Sequence, residues 1–188
     1  MANLPEARAT ACATQTGAGG MKQRGGGAIR LDRLDLKILA TLQAAGRISN
    51  LDLANKVGLS ATPCMQRVRR MEAAGYIGGY GAQLAIDRIC RNIVVFTEIT
   101  LSNHRREDFL KFERGIQEIP QILNCFLVTG GYDYLVQFIA QDIHDYQTTV
   151  EDLLDRDLGV EKYFSYVTIK QVKRSQGYPL AVLLPEPD

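Results

Sequence analysis

The chain contains no tryptophan, two histidines and four widely spaced cysteines, and these shortages exclude several kinds of chemistry. Cys12, Cys64, Cys90 and Cys125 form no C-x-x-C pair and have no histidine nearby, so neither a zinc site nor a disulfide framework is expected. They read as reduced thiols in a cytoplasm. Long apolar runs are also missing. The best candidate, around Ile93–Phe96, falls far short of the roughly 18 residues that cross a bilayer. The first residues lack the apolar core of about 7–15 residues that marks a secretory signal, so none is expected. Of the histidines, His104 falls in an expected loop and His144 in the first turn of an expected helix, and both read as surface residues. No nucleophile stands beside a base and no glycine-rich phosphate cradle precedes a helix. No catalytic residue and no metal ligand is therefore assigned, and a metabolic enzyme is a weak alternative.

What is present is an ordinary globular mixture: 188 residues, 46% hydrophobic and 23% charged, enough for two domains of roughly 100 residues or fewer. The net charge of +1 hides an asymmetry. Residues 1–30 carry four basic side chains against one acidic, residues 31–91 nine against five, and residues 92–188 nine against fifteen. A basic front and an acidic back suit a protein whose front meets a polyanion.

Residues 1–30, rich in Ala, Gly and Thr, cannot bury enough apolar surface to offset their ordering entropy and are expected as a disordered tail; Met21 is a candidate true start. Order begins at Leu31. Leu31, Leu34, Ile38 and Leu42 make one helical face that runs to Ala45, with Gly46 expected as its left-handed stop. Ser49 opens a second helix whose buried side is Leu51, Leu53, Ala54 and Val57, ended by Gly58. Thr62 as N-cap and Pro63 at the first helical position start a third helix running to Ala74, with Gly75 beyond it. Two short helices across a tight turn form a helix-turn-helix signature over 31–76. A strand-like hinge or linker is expected over 77–91, beginning at Tyr76 and loosened by Gly78, Gly79 and Gly81.

The remaining pattern over 92–175 is β-α-β-β-α-β. It comprises an alternating run Ile93–Leu101, a helical stripe Phe109, Phe112, Ile116 and Ile119, strands 122–129 and 134–140, a helix capped by Asp142 with Ile143, Tyr146, Val150 and Leu153 inward, and a last strand over 163–172. That order predicts a ferredoxin-like sandwich, an α+β domain with one sheet face under two helices and the other needing a partner. Residues 176–188 are expected as a C-terminal tail.

With Cys64, Val68 and Met71 as the core side of the third helix, a step of about 100° per residue sends Thr62, Gln66, Arg69 and Arg70 to the opposite face, with Met65 and Arg67 on the flanks. Arginine grips guanine O6/N7 or phosphate and glutamine grips adenine N6/N7, so this face suits a major groove. Ser60, Thr62, Gln66, Arg67, Arg69 and Arg70 are the candidate DNA contacts, and double-stranded DNA the expected partner.

The segments Gly46–Asn50, Val57–Cys64, Arg67–Glu72 and Gly75–Ile77, then Val128–Leu135 and Lys170–Lys173, together resemble the leucine-responsive regulator family, Lrp/AsnC. The resemblance covers about residues 31–180. It implies a helix-turn-helix joined by a hinge strand to a ferredoxin-like effector domain, in a cytoplasmic, nucleoid-associated bacterial or archaeal regulator of amino-acid metabolism. It further implies dimers formed through the effector domain, commonly assembled into octamers, that respond to amino acids. Ala61 stands where a proline is usual, Cys90 near a common glycine, and Lys162–Ser165 where an Arg/Thr-rich stretch is frequent.

Read as residues alone, Gly130-Gly131-Tyr132-Asp133 is either a hairpin turn capped by Asp133 or a cradle for an α-amino acid. Glycine amides face a carboxylate in the cradle, and Asp133 faces an ammonium group. The resemblance favours the cradle, since the family's effector pocket lies at this loop between dimer mates. It implies Gly130, Gly131, Tyr132, Asp133 and Tyr134 as effector contacts, with Leu127, Ile143 and Thr149 as walls. The effector is amino-acid-like and no other cofactor is expected. An architectural DNA binder with little ligand response is the alternative.

Overall fold

The computed structural model describes residues 29–175 and 177–184. The expected tail over 1–30 therefore lies almost wholly outside the described residues. The chain divides into two units after Gly79, and the segment from Pro179 groups with the first.

In the first unit, α1 spans Arg33–Ala44, α2 Asn50–Val57 and α3 Ala61–Ala73. Asp32 is the N-cap of α1 and forms a reciprocal capping box with Asp35. Ser49 caps α2 by accepting from the Asp52 N–H at 3.1 Å. The third helix begins two residues earlier than expected. Ser60, in extended backbone, is its N-cap, so Thr62 and Pro63 lie inside the first turn, where a proline still displaces no intrahelical hydrogen bond. At its other end Gly75 takes a φ of 78° and lets Tyr76 N–H reach Met71 O at 3.0 Å, closing a Schellman turn. Gly58 adopts the left-handed region in the same way, with φ 81°. Gly46 does not; Ala45 ends α1 by returning its N–H to Thr41 O.

Ile38, Leu53, Ala54, Val57, Cys64 and Met71 form the core of this unit. Leu51 is exposed, against expectation, because Leu53, Ala54 and Val57 already define the buried face of α2 and Leu51 projects from the other side. Residues 76–85 carry no strand pairing; three glycines and the lack of a ladder partner among the described residues leave them irregular, followed by one 3₁₀ turn at Ile86–Arg88.

The second unit holds β1 (Ile93–Leu101), α4 (Arg106–Ile116), β2 (Ile122–Leu127), β3 (Tyr134–Ala140), α5 (Ile143–Asp155) and β4 (Val160–Val167). The four strands make an antiparallel sheet in the order β2-β3-β1-β4, the ferredoxin-like arrangement. The last strand ends five residues before the expected limit. A short C-terminal helix, α6 (Leu180–Leu183), occupies part of the expected tail.

Alternation decides which side chains meet the helices. Val95, Ile99 and Leu101 of β1 and Tyr134, Val136, Phe138 and Ala140 of β3 are buried with Phe112 and Ile116 of α4 and Tyr146, Val150 and Leu153 of α5. Ile143, expected inward, is half exposed at the first turn of α5, ahead of the packed stripe. The Tyr146 hydroxyl crosses this layer, bonding Thr97 Oγ1 at 2.8 Å and Ser165 Oγ, and Thr97 and Ser165 are themselves cross-strand partners. Both helices of this unit lie on that one side, and among its described residues none covers the opposite sheet face. Its registered row Phe126, Leu135, Glu98, Phe164 and its neighbours Phe96 and Tyr166 point there, with Asn124 Nδ2 bonded to Gln137 Oε1 at 2.7 Å.

Gly115 of α4 sits so close to buried Leu158 that a β-carbon would overlap both δ-carbons and approach Cγ to 3.1 Å. Gly115→Ala is expected to destabilise the protein by about 1–3 kcal/mol through overpacking. Chemical denaturation checks this, and the cost should shrink in a Leu158→Ala background.

Candidate nucleic-acid interface and effector loop

Thr62, Gln66 and Arg69 are exposed along one side of α3, as is Ser60 at its cap. The other two arginines behave differently. Arg67 Nη1 donates to Asp32 Oδ2 at 2.6 Å and to Asp35 Oδ1 at 2.9 Å, while Arg70 Nη2 donates to Asp35 Oδ2 at 2.6 Å. The expectation that Arg70 points away from the core side, with Arg67 on the flank, thus needs correction: both guanidinium groups turn toward the start of α1. Arg67 keeps 27% of its side-chain surface and Arg70 43%, and each is tied by one nitrogen to α1. Helical angle alone sends Arg70 outward, but its long side chain reaches back across the groove between α1 and α3.

Asp35 is fully buried, and it also accepts the Asp32 N–H at 3.1 Å, so its charge is paired and its oxygens are satisfied. Reading the sequence missed this residue. The available signal was a carboxylate on the apolar stripe of α1, in step with Leu31, Ile38 and Leu42, where an acid demands a partner.

Partial burial of the Asp32 carboxyl opposes its ionisation, but the Asp35 N–H and the Arg67 guanidinium outweigh it and hold the group below its ordinary value of 3.8. Hydrogen bonds to Asp32 and then Asp35 raise Arg67 in turn. Burial pushes up the Cys64 thiol, as befits a small core residue.

In the second unit, Gly130–Asp133 joins β2 to β3. Gly130 takes φ 141°, and a β-carbon on Gly130 or Gly131 would meet nothing within 4 Å, so both open onto clear space. Asp133 is anchored from three sides. Its N–H donates to Ile99 O at 3.0 Å, its carboxylate accepts the Leu101 N–H at 2.8 Å, and His104 Nε2 lies 3.1 Å from it. Its side chain is 15% exposed, whereas His104 is mostly exposed. His104 is thus a loop residue with a charged partner, which the sequence pattern did not reveal.

Tyr132 is partly buried and Leu127 and Ile143 are exposed. Tyr134 and Thr149 are not open to a ligand here. Tyr134 is a core residue whose hydroxyl bonds Glu113 Oε1 at 3.1 Å, its acidity suppressed by burial and then by that carboxylate. Thr149 is buried and returns its hydroxyl to Asp145 O at 2.9 Å. Strand alternation explains Tyr134: it shares the helix-side face with Val136 and Phe138.

Comparison with known proteins matches residues 31–77 to a winged helix-turn-helix DNA-binding family and residues 94–178 to the Lrp/AsnC ligand binding domain. The chain is 44% identical over 146 residues to a transcriptional regulatory protein, DoeX, of Halomonas elongata, covering 78% of this chain and 92% of that one. It is 41% identical over 145 residues to the leucine-responsive regulatory protein of Escherichia coli, covering 77% and 88%. Among solved structures, a transcriptional regulator–L-Met complex from Neisseria meningitidis aligns with a TM-score of 0.76 at 32% identity, over 82% of this chain and all of that one. An AsnC-family regulator from Agrobacterium tumefaciens aligns at 0.77 and 31%, with the same coverage.

Acidification tests the α1–α3 network. Because the folded pKa of Asp32 is depressed, its contribution is present above the ordinary carboxylate value and is lost as pH falls through the lower, folded one. The melting temperature should fall from about pH 5 downward, and less steeply in Asp32→Asn.

Proposed function

The chain belongs to the Lrp/AsnC family of transcriptional regulators, and from that premise we propose that it binds specific duplex sites through α3 and is tuned by a small α-amino acid at the Gly130–Asp133 loop. The observation that carries the DNA half is the exposed set Thr62, Gln66 and Arg69 on the second helix of a helix-turn-helix, in the basic part of the chain. Gln66 and Arg69 have the donors and acceptors for base edges, and Ser60 and Thr62 lie at the end of the helix that enters a groove first. Arg70 joins them through the part of its fork not spent on Asp35, and Arg67 acts mainly as a support.

Two open glycines and a nearly buried carboxylate at one loop support the effector half. Amides face the ligand carboxylate, and Asp133 faces the ammonium group, sharing it with His104. Tyr132 and the exposed Leu127 and Ile143 complete the contact set, while Tyr134 and Thr149 support it from the core side. The L-Met bound to the Neisseria regulator and the leucine response named for the Escherichia relative set the ligand class to screen first.

The helix-free sheet face serves a homodimer, which places two α3 helices on half-sites about 34 Å apart, and further assembly extends toward an octamer. Such a protein works beside the chromosome in the cytoplasm. The ligand acts by binding one assembly state better than another. Domain limits of 31–76 for the DNA-binding part, 77–91 for the linker and 92–175 for the effector part accommodate both roles.

Gln66→Ala and Arg69→Ala should each weaken binding to a duplex selected by the wild-type protein from a random library, by about 1–3 kcal/mol, with an unchanged melting temperature. Unaltered gel shifts would remove α3 as the reading element. In a thermal-shift screen of the twenty amino acids, at least one should raise the melting temperature of the wild type by mass action, and Asp133→Ala should abolish that rise. An equal rise in the variant would leave Asp133 as a turn residue.

A further inference from the structure

Why does a helix-turn-helix keep a fully buried carboxylate on its first helix? Asp35 is fully buried on α1, in a unit whose core is Ile38, Leu53, Ala54, Val57, Cys64 and Met71, and at such a position an apolar side chain is usual. Stability alone does not favour the choice, since a buried ion pair is often no better than well-packed apolar side chains of the same volume. What an acid supplies and a leucine lacks is orientation. Asp35 takes one nitrogen from each of two arginines on α3, leaving their other donors without partners among the described residues. Asp32, at the α1 N-cap, adds a second hold on Arg67. An arginine loses rotamer freedom when it orders against a ligand, and a fork already fixed by one nitrogen has less left to lose.

We infer that Asp35 is a positioning residue for DNA recognition, fixing Arg67 and Arg70 on α3 and withholding part of their charge from indiscriminate phosphate contact. The inference rests on the DNA-binding role proposed for α3. Two tethered guanidinium groups act at set places on the helix surface. Untethered, the same groups become mobile cations that bind phosphates of any sequence equally well. Loss of Asp35 should therefore strengthen non-specific binding while eroding discrimination, opposite to the effect of simply damaging the fold.

The test uses the full-length protein, a duplex selected by the wild type from a random library, and a scrambled duplex of equal length. Affinities are measured across a salt series at a temperature where circular dichroism shows each variant folded. In Asp35→Asn the ratio of matched to scrambled affinity should fall about tenfold. The log–log salt slope should steepen by about 1–2, reflecting up to two added phosphate contacts. Should Asp35→Asn fail to fold, Asp32→Asn serves instead, because Asp32 is half exposed and asparagine is an equally good N-cap. It releases one of the two holds on Arg67, so the slope should steepen by at most about 1 and the ratio fall severalfold. A folded variant with unchanged slope and unchanged ratio would overturn the positioning role. A wild-type protein that selects no preferred duplex would instead overturn the DNA-recognition reading on which the role stands.

Discussion

A single buried carboxylate ties together two helices of the first unit. Asp35 closes the capping box that starts α1 and receives both arginines that lean back from α3, so one side chain links the start of one helix to the outward face of another. The unit has few alternatives for fixing that geometry. Its core is six residues, α2 is two turns long, and α3 joins α2 through a three-residue connection. Apolar contacts, with Cys64 and Met71 of α3 in the core, set how the helices pack, whereas the charged, directional contacts fix where the Arg67 and Arg70 guanidinium groups lie.

The ligand unit solves a similar problem without a buried charge pair. Its loop is positioned by backbone: Val128 N–H meets Asp133 O, and Asp133 N–H meets Ile99 O on the neighbouring strand. The Asp133 carboxylate then folds onto the Leu101 N–H. The Asp133 carboxylate is thus an acceptor held in place by its own hydrogen bonds, and His104 is its more exposed partner. Both units hold a well-bonded, mostly buried aspartate beside more exposed partners.

How much of this was legible in the sequence depends on how far each partner lies along the chain. β1 and β3 were plain because strict alternation over seven to nine residues has one explanation, and α5 because Asp142 marks its start and Tyr146, Val150 and Leu153 its face. The start of α3 was placed two residues late because Thr62 followed by Pro63 fits a cap and first turn, whereas Ser60 takes the cap position. Leu51 and Ile143 look like core residues by composition but sit beyond the arc that their helices bury. Pairings over long separations left no local trace: Arg67 and Arg70 lie more than thirty residues from Asp35, and His104 twenty-nine from Asp133. Family resemblance pointed to the loop but not to which of its residues turn inward, as Tyr134 does by strand alternation.

The thread of hydroxyls from Thr97 through Tyr146 to Ser165 has a consequence for the edge of the sheet. β4 is exposed along nearly its whole length, so burial does little to choose between its possible alignments with β1. A slip of one residue would turn Ser165 to the far face and leave the tyrosine oxygen without that neighbour in the interior. The alignment of the last strand is therefore keyed by a polar contact from the helix layer, much as a pin keys a sliding bolt. The aromatic pattern that β4 presents on its open side, Phe164 and Tyr166 among it, inherits its order from a serine that faces the other way.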